Sequence, residues 1–386
     1  MADRISNLPD PILCDILSFL PTKFAVSTTV LSHRWKSLHL HLPTLYFEDE
    51  TFQHFKSFIR FLSTKFYSRE ITVPIHSFTF KRDSSFRNQR IVNIILIWIF
   101  ERLRLDNLHF LEITFHENLN ARLPKHISCK NLQVLKLNYV IMTDINISTE
   151  LDFEFRFDFP LLKVLHWNTV KFPTPDSFLK FMSSCPILEE LHACNSRITS
   201  SVEDESNENF KLFPNLKTAR IFDNNVPITV LSEVQSLHLE LNMNWIRCKQ
   251  LPLFRRLVNI DIIFTNELLE GPLKWLLQLL QHCPILQNFT IQYYVDHQSE
   301  LVGDYWIDPP TVPQCLSSQL KTFFLGGYGG NENEFQFVRY IMQNSKVLQT
   351  MTIESNPVVE INIKHQMLMK LSSTTMTSTT CKLLFD

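Results

Sequence analysis

Large apolar side chains recur along most of the chain at the first, fourth and sixth positions of a six-residue pattern. Because consecutive side chains of a strand point to opposite faces, the fourth and sixth positions of each copy predict a short strand that buries one face. We therefore expect eleven strands, whose copies begin at Ile75, Leu108, Leu132, Leu162, Leu188, Leu216, Val234, Leu257, Leu286, Leu320 and Leu348.

Helical patterns fill some of the intervals between these copies. They comprise Phe178, Leu179 and Met182 before Cys185-Pro186, and Leu273, Leu276, Leu277 and Leu280 before Cys283-Pro284. Both lead directly into the next copy of the strand pattern. The copies start 18 to 34 residues apart, around the roughly 20 to 29 residues of a leucine-rich repeat. We therefore predict an α/β fold, a curved leucine-rich-repeat solenoid with irregular repeats.

Three short helical patterns precede the repeats, within residues 3–45. Asp10 can cap a first helix with Pro11 in its first turn, and Thr22 and Ser32 can cap a second and a third helix. Such a short segment cannot bury all of its leucine, isoleucine and tryptophan side chains by itself. Part of its apolar surface should therefore face another protein.

The same segment carries the motif residues of a known family. They are Leu8-Pro9, Ile16-Leu17, Leu20-Pro21 and the run Val30-Leu31-Ser32-His33-Arg34-Trp35. In order and spacing they resemble the F-box, the adaptor-binding module of Skp-cullin-F-box ubiquitin ligases. The alternative is an ordinary helical hairpin at the start of a larger domain.

The C-terminal region is similar to the FBD domain that closes many plant-type F-box proteins. It follows three prolines between Trp306 and Pro313, and the matching residues are Cys315-Leu316, Leu320-Lys321, Gly327-Tyr328-Gly329-Gly330, Glu334, Tyr340, Asn344 and Leu348. The serine- and threonine-rich run from Ser372 to Thr380 departs from that family, because it lacks the expected basic, proline-containing element.

These patterns divide the chain into four regions. We predict a three-helix F-box over residues 1–47 and a helical linker over 48–74, where Phe55, Phe58 and Leu62 follow helical spacing. Leucine-rich repeats should occupy residues 75–310, and an FBD-type region over 311–386 should continue the solenoid.

The resemblance implies a substrate receptor that is not itself an enzyme and needs no cofactor. Its F-box would dock on the Skp adaptor and through it on a cullin, while the repeats present an unknown protein target and other subunits transfer ubiquitin. Carried over from the family motif, the adaptor-binding residues are Leu8, Pro9, Ile12, Ile16, Leu20, Pro21, Leu31 and Trp35.

The fifth position of each copy should point away from the buried face. It carries polar groups of mixed charge, which suit a protein or peptide partner, although any repeat exposes polar residues there. The candidate target-binding residues are Lys136, His166, His192, Arg220, His238 and Asp261, together with Glu190.

Composition argues against several partners. With 37 basic and 39 acidic residues the net charge is only -2, so no overall field attracts nucleic acid or anionic lipid. The longest apolar run, Ile91 to Phe100, is about half of what a bilayer requires, and the N-terminus has no secretory apolar region. Eight cysteines without a C-x-x-C pair suit reduced thiols of an intracellular protein in the cytoplasm or nucleus.

Candidate sites for chemistry are weak. The glycines between Gly326 and Gly330 lack the Gly-Lys-Ser/Thr of a phosphate loop, so we predict a turn with positive φ before a helix. His166, His192 and His238 lack a third and fourth zinc ligand. Two alternatives stay open: an enzyme whose site is built from distant residues, and a repeat scaffold that binds the adaptor without ubiquitin output.

Overall fold

The protein has a mixed α/β fold of two compact units, each built on a parallel sheet. Unit 1 comprises Met1–Leu188 with Cys194–Ser206, and unit 2 comprises Glu189–Ala193 with Asn207–Asp386. The structure, a computed structural model, describes residues 5, 7–69, 73–82, 89–103, 105–117, 119, 121–124, 126–142, 156–198, 213–222, 225–241, 251–265, 272–293 and 306–386.

Unit 1 begins with a helical module, residues 7–42. It consists of α1 (Asp10–Ser18), α2 (Thr22–Ser27), a 3-10 turn (Thr28–Val30) and α3 (Trp35–Leu38). The three predicted helices are therefore confirmed. The module has a small core of its own, in which no side chain is more than 5% exposed: Leu13, Leu17, Ala25, Trp35, Leu38 and Leu42.

The predicted helix caps in this module are wrong. Pro9, Pro21 and Arg34 occupy the cap positions of the three helices, none of which has a side-chain cap hydrogen bond. The side chain of Asp10 pairs with Arg34 instead, and that of Thr22 accepts a hydrogen bond from the first strand of the sheet. Long-range partners therefore occupy the oxygens that local spacing assigned to caps.

Strands and helices alternate through the rest of unit 1. These elements are β1 (Thr44–Glu48), α4 (Phe55–Ser68), β2 (Ser77–Arg82), α5 (Gln89–Arg102), a 3-10 turn (Leu105–Asn107), β3 (Phe110–Phe115), β4 (Ala121–Arg122), β5 (His126–Ser128), β6 (Val134–Ile141), β7 (Arg156–Asp158), β8 (Val164–Phe172), α6 (Pro175–Ser183) and, after the strand that begins unit 2, β10 (Arg197–Ile198). Strands β1, β2, β3, β6 and β8 pair in parallel in that order. β4 lies beside β6, β10 lies beside β8, and β5 and β7 form a separate pair.

Unit 2 repeats the same alternation. Its elements are β9 (Glu190–Cys194), β11 (Thr218–Phe222), a 3-10 turn (Ile228–Leu231), β12 (Ser236–Leu241), β13 (Asn259–Phe264), α7 (Pro272–Gln281), β14 (Asn288–Tyr293), α8 (Gln314–Ser318), β15 (Thr322–Tyr328), α9 (Glu332–Asn344), β16 (Thr350–Ser355), α10 (Ile361–Ser372) and β17 (Lys382–Phe385). The strands lie side by side in chain order from β9 and β11 to β17, and the pairs from β11 onward are parallel.

The hydrophobic pattern is confirmed as a pattern of strands. All eleven copies fall on strands, and their first, fourth and sixth positions are buried throughout. Equivalent positions are strand partners: Ala219 pairs with Leu237, Leu237 with Ile260, and Ile260 with Phe289. The predicted helices before Leu188 and Leu286 are also present, as α6 and α7. The curved solenoid itself stays a prediction.

One copy of the pattern was missed at the start of the sheet. Leu42, Leu45 and Phe47 are buried like the other copies, and in β1 Leu45 pairs with Phe78 of the next strand. This stretch was predicted to be part of the F-box, and the predicted end of that region at residue 47 falls inside β1.

The segment predicted as a linker is part of the packing of unit 1. In α4 the side chains of Phe58, Leu62 and Phe66 are buried. The ring of Phe66 stacks on Phe47 of β1 at 5.8 Å between centroids, and that of Phe58 packs on Phe80 of β2 at 5.8 Å. The helix therefore covers the first two strands of the sheet.

The C-terminal region extends the sheet of unit 2 through β15, β16 and β17. Gly330, between β15 and α9, has φ of +77°, so the predicted positive-φ turn between a strand and a helix is confirmed. Gly327 has the same φ but lies within β15, where the strand register shifts. The run from Ser372 to Thr380 contributes a buried serine, Ser378, whose Oγ donates to the carbonyl of Leu348 at 2.6 Å.

Candidate partner-binding surfaces

The helical module exposes much more apolar surface than its size requires. Eight of the twenty strongly exposed large apolar side chains in the described part of the chain lie within residues 5–31. Soluble monomers rarely concentrate exposed apolar groups in this way, and such groups mark binding surfaces. We call these eight side chains the apolar patch: Ile5, Ile12, Ile16, Phe19, Leu20, Phe24, Val30 and Leu31.

Most of the predicted adaptor-binding residues are accessible. Ile12, Ile16, Leu20 and Leu31 are between 39% and 63% exposed. Pro9 is also exposed, and Leu8 and Pro21 are half-buried, with Leu8 packed against the core of the module. Sequence reasoning missed Phe19, Phe24 and Val30. Helical periodicity could have placed Phe19 opposite the buried Leu13 and Leu17 of α1, whereas Phe24 and Val30 lie on the next two elements.

Trp35 is the exception, and its predicted place on the docking face is wrong. The side chain is 5% exposed because it fills the core between the helices, beside Leu13 and Leu38. A residue this deep supports the shape of the binding surface and is not available to touch a partner without unfolding.

Arg34 holds the two ends of the module together. Its Nε donates to Oδ1 of Asp10 at 2.7 Å, and its Nη2 donates to the carbonyl of Leu8. These bonds fasten the Leu8-Pro9 pair to the start of α3, although the two side chains of the ion pair are partly exposed and the pair itself contributes little energy.

Further contacts fasten the module to the sheet of unit 1. The backbone N–H of Tyr46 donates to Oγ1 of Thr22 at 2.8 Å, and Lys23 donates to the carbonyl of Thr51 while its ammonium lies 4.3 Å from the centroid of the Phe52 ring. The module thus covers the edge strand β1, whose free backbone groups would otherwise be open to pairing.

A His–Lys contact adds to this attachment. Nε2 of His39 lies 3.1 Å from the ammonium of Lys65 on α4. Burial, and then the charge of Lys65, lowers the pKa of His39 to about 4. The imidazole is therefore neutral near pH 7 and accepts the hydrogen bond of the lysine.

The target-binding candidates of unit 1 lie on adjacent strands. Lys136 on β6 pairs in register with His166 on β8, and its ammonium lies 5.6 Å from the centroid of the Phe110 ring. Next to them, Lys81 forms an ion pair with Glu112 at 3.0 Å. This outward face of unit 1 therefore carries both signs of charge.

The candidates of unit 2 form a closer cluster. Arg220, His238 and Asp261 are consecutive partners in the register of β11, β12 and β13. Nδ1 of His238 lies 2.6 Å from Oδ2 of Asp261. The ring of Phe222, which sequence reasoning missed, lies between the imidazoles of His192 and His238, with centroids 5.5 Å and 5.2 Å away. Glu190 lies two residues before His192 on β9.

A cavity of about 370 Å³ opens in unit 1 at the carboxyl ends of β1, β2 and β3. Charged residues dominate its lining, which includes Glu48, Glu50, Lys81, Arg82, His116 and Glu117. Lys81 pairs with Glu112, and the buried Arg82 lies 4.0 Å from the buried Asp49, with its pKa lowered by burial. The two strongly basic side chains of the lining are thus held in ion pairs of structural type.

The described residues contain neither a metal-binding cluster nor a membrane-spanning helix. No cluster of three or more histidine, cysteine, aspartate or glutamate residues is placed to hold a metal ion in the described ranges. Within the same ranges no helix combines the length and apolar character that crossing a bilayer requires.

Comparison with known proteins assigns two domains. A family model described as the F-box domain matches residues 5–38, and one described as FBD matches residues 308–353. The chain therefore carries an F-box, which coincides with the apolar patch, and an FBD domain in unit 2.

Similarity to relatives extends beyond these two domains. An F-box/FBD/LRR-repeat protein of Arabidopsis thaliana is 28% identical over 92% of this chain and 87% of its own length. A second protein of the same description and organism is 27% identical over the full length of both chains. A putative FBD-associated F-box protein from that plant is 27% identical over 92% of each chain.

Proposed function

We propose that the chain is the substrate-recognition subunit of a Skp-cullin-F-box ubiquitin ligase. The observation that carries this proposal is the apolar patch on the F-box. The helical module buries its own core completely, yet it leaves Phe19 87% exposed and Val30 85% exposed. An F-box domain implies binding to a Skp-type adaptor, and the patch is a surface that such a partner would bury.

The expected interface is of ordinary size. A specific protein interface buries about 1,600 Å² in total, and a few central side chains supply most of its energy. Leu31 and Ile16 are suitable anchors, because each is a large side chain that is already exposed, to 63% and 42%, on a module that is held by its buried core. Adaptor binding then requires little rearrangement of the module.

The sheets supply the second half of the function. Their outward positions carry the target-binding candidates, and the parallel strand and helix repeats are proposed to form the leucine-rich-repeat solenoid that presents them. In this proposal the adaptor connects the chain to a cullin, and other subunits transfer ubiquitin. The chain contributes proximity, which raises the effective concentration of the target. An intracellular location, in cytoplasm or nucleus, is part of the proposal.

The test is co-expression of the full chain with a Skp adaptor, followed by size-exclusion chromatography. The parent should co-elute with the adaptor, and Leu31→Glu should abolish co-elution while leaving the melting temperature unchanged. The matched control is Met369→Glu, because Met369 is a comparably exposed apolar residue on α10 of unit 2. Equal adaptor binding by parent and Leu31→Glu would refute the assignment of the patch.

A second measurement separates a receptor from a scaffold. If the chain is a receptor, a partner captured by its sheets should accumulate in cells that express only Leu31→Glu and should be turned over in cells that express the parent. A partner whose level is the same in both cells, despite intact adaptor binding by the parent, would favour the scaffold alternative.

A further inference from the structure

One outward cluster of unit 2 joins four neighbouring strands. The cluster, which we call the row, consists of His192 on β9, Phe222 on β11, His238 on β12 and Asp261 on β13. The Phe222 ring packs between the two imidazoles, and His238 contacts the aspartate and pairs in register with Arg220 on β11. All four side chains are partly exposed. The row therefore offers a π face and a carboxylate to the same ligand.

The contact between His238 and Asp261 determines which atoms of the row can accept a hydrogen bond from a ligand. Because Oδ2 of Asp261 is an acceptor, the imidazole carries a proton on Nδ1, and in the neutral ring Nε2 is left as an acceptor. Asp261 has no other ion-pair partner among the described residues, and its Oδ1 is buried without a hydrogen bond. A cation beside this carboxylate would stabilise its charge.

Carboxylates outnumber basic groups on the outward face around this row, although Arg220 pairs in register with His238. Glu240 lies two residues beyond His238 on the outward face of β12, and Glu190 and Glu354 occupy outward positions on β9 and β16. Arg220 and Lys382 are the basic residues at outward positions of the described strands of this unit. The outward face of unit 2 is thus more acidic than basic, and complementarity favours a positively charged partner.

We propose that this row binds an arginine side chain in an extended segment of the target protein. A guanidinium is planar, so it can stack on the ring of Phe222 while its N–H groups donate to Asp261 and to Nε2 of His238. A lysine ammonium supplies the charge without the planar stacking surface. The inference rests on the proposed function, because it gives the chemistry of the target segment that the receptor selects.

Short glycine-serine peptides that carry one central arginine, citrulline, lysine or glutamate are suitable probes. Citrulline keeps the shape of arginine but has no charge. Binding is followed on the full chain by the NMR signals of ¹³C-labelled histidine side chains, with that of His238 assigned from a His238→Gln variant. We expect a saturable shift with the arginine peptide, a weaker one with lysine, and at least about tenfold weaker binding of citrulline.

Matched variants test the residues. Asp261→Asn keeps the size of the side chain and should weaken arginine binding at least about tenfold. Phe222→Leu keeps an apolar side chain but removes the π face, and should weaken binding several-fold. Glu354→Gln removes an outward carboxylate of β16, three strands away from Asp261, and should change binding far less than Asp261→Asn.

Three results would overturn the inference: equal binding of arginine and citrulline peptides, no effect of Asp261→Asn in a folded protein, or preference for the glutamate peptide through Arg220. If Asp261→Asn lowers the melting temperature, the inference is tested instead by Phe222→Leu and by the comparison of peptides on the parent protein.

The inference and the proposed function can fail separately. Adaptor co-elution involves unit 1, so a chain that binds adaptor but not arginine disproves this inference alone. A chain that binds arginine without adaptor disproves the ligase role instead.

Discussion

The hydroxyl oxygen of Thr22 accepts a hydrogen bond from the backbone N–H of Tyr46 at 2.8 Å, and this bond joins the F-box to the first strand of the sheet. Thr22 is 2% exposed, so the bond is shielded from water. The F-box consequently covers a sheet edge, in addition to the adaptor binding that we propose for it. Changes at this contact should affect the stability of unit 1, whereas changes in the apolar patch should affect adaptor binding.

Replacing Thr22 with valine should destabilise unit 1 by about 1–3 kcal/mol, because the N–H of Tyr46 loses its acceptor in a buried setting. Chemical denaturation of the full chain measures the change. Ser27→Ala is the control, since the exposed Ser27 hydroxyl bonds only within its own helix turn to Lys23 and its loss should cost a few tenths of a kcal/mol. Equal stabilities of the two variants would contradict the shielding of the Thr22 bond.

Trp35 and Leu31 should separate folding from binding. Trp35→Ala removes a large buried side chain and should cost about 3–5 kcal/mol of folding free energy. Leu31→Ala removes a side chain that is 63% exposed and should leave the unfolding midpoint nearly unchanged while weakening the adaptor complex. Chemical denaturation measures the folding free energy of each variant, and titration calorimetry with the adaptor measures its binding affinity. A Trp35→Ala protein that is stable but fails to bind the adaptor would show that Trp35 contacts the adaptor directly.

A chain that starts at Glu48 should be unstable by itself. The truncation removes four of the five residues of β1, including Leu45 and Phe47, which cover Phe78 and Phe80 of the neighbouring strand. Exposed edges and apolar surface of this kind promote association. Light scattering should detect aggregates of the truncated chain, in contrast to the monodisperse Leu31→Glu protein, which keeps the edge covered. A monodisperse truncated chain would show that β1 is dispensable.

Glu334 should make the stability of unit 2 depend on pH. Its Oε2 accepts from the N–H groups of Gly329 and Gly330, but burial raises its pKa from 4.5 to about 7 despite these bonds. Between these two values the folded protein holds a proton that the unfolded chain releases. This group therefore contributes a loss of stability as pH rises from 4.5 to 7, of the order of 3 kcal/mol.

The measurement compares the parent with Glu334→Gln by denaturation at pH 5 and pH 8. The glutamine cannot ionise, so the variant should gain stability relative to the parent on going to pH 8. Glu332→Gln is the control, because Glu332 is exposed and bonded to Lys370, which lowers its pKa and places its titration below this window. A parent-to-variant difference that is the same at both pH values would contradict the raised pKa.

Gly330→Ala should destabilise the turn before α9 by about 1–3 kcal/mol. Gly330 has φ of +77°, which side chains disfavour, and an added Cβ would overlap the side chain of Met367 on α10. Gly329→Ala is the control, since its Cβ would meet Glu334 only at 3.4 Å. Thermal unfolding of both variants measures the loss of stability. An equal loss in Gly330→Ala and Gly329→Ala would show that the positive φ of Gly330 is not the constraint.

The local hydrophobic pattern was sufficient to predict the strands, because every second residue of a strand lies on its buried face. The copies at Val234 and Leu348 could therefore be predicted from spacing alone, and so could the F-box motif and the positive-φ turn at Gly330. The pattern did not identify the strand at Leu42, Leu45 and Phe47, because apolar residues at these positions fit either the end of the helical module or the first strand. Only the pairing of β1 with β2 assigns them to the sheet.

The sequence by itself determined which residues are buried in the sheet, which positions point outward and which segment is the F-box, since these properties depend on neighbours within one element. The tertiary structure decided the partners of the polar groups. Asp10 bonds to Arg34, 24 positions away, and His238 bonds to Asp261, 23 positions away. Such contacts depend on helix packing and strand register, and local spacing carries no information about either.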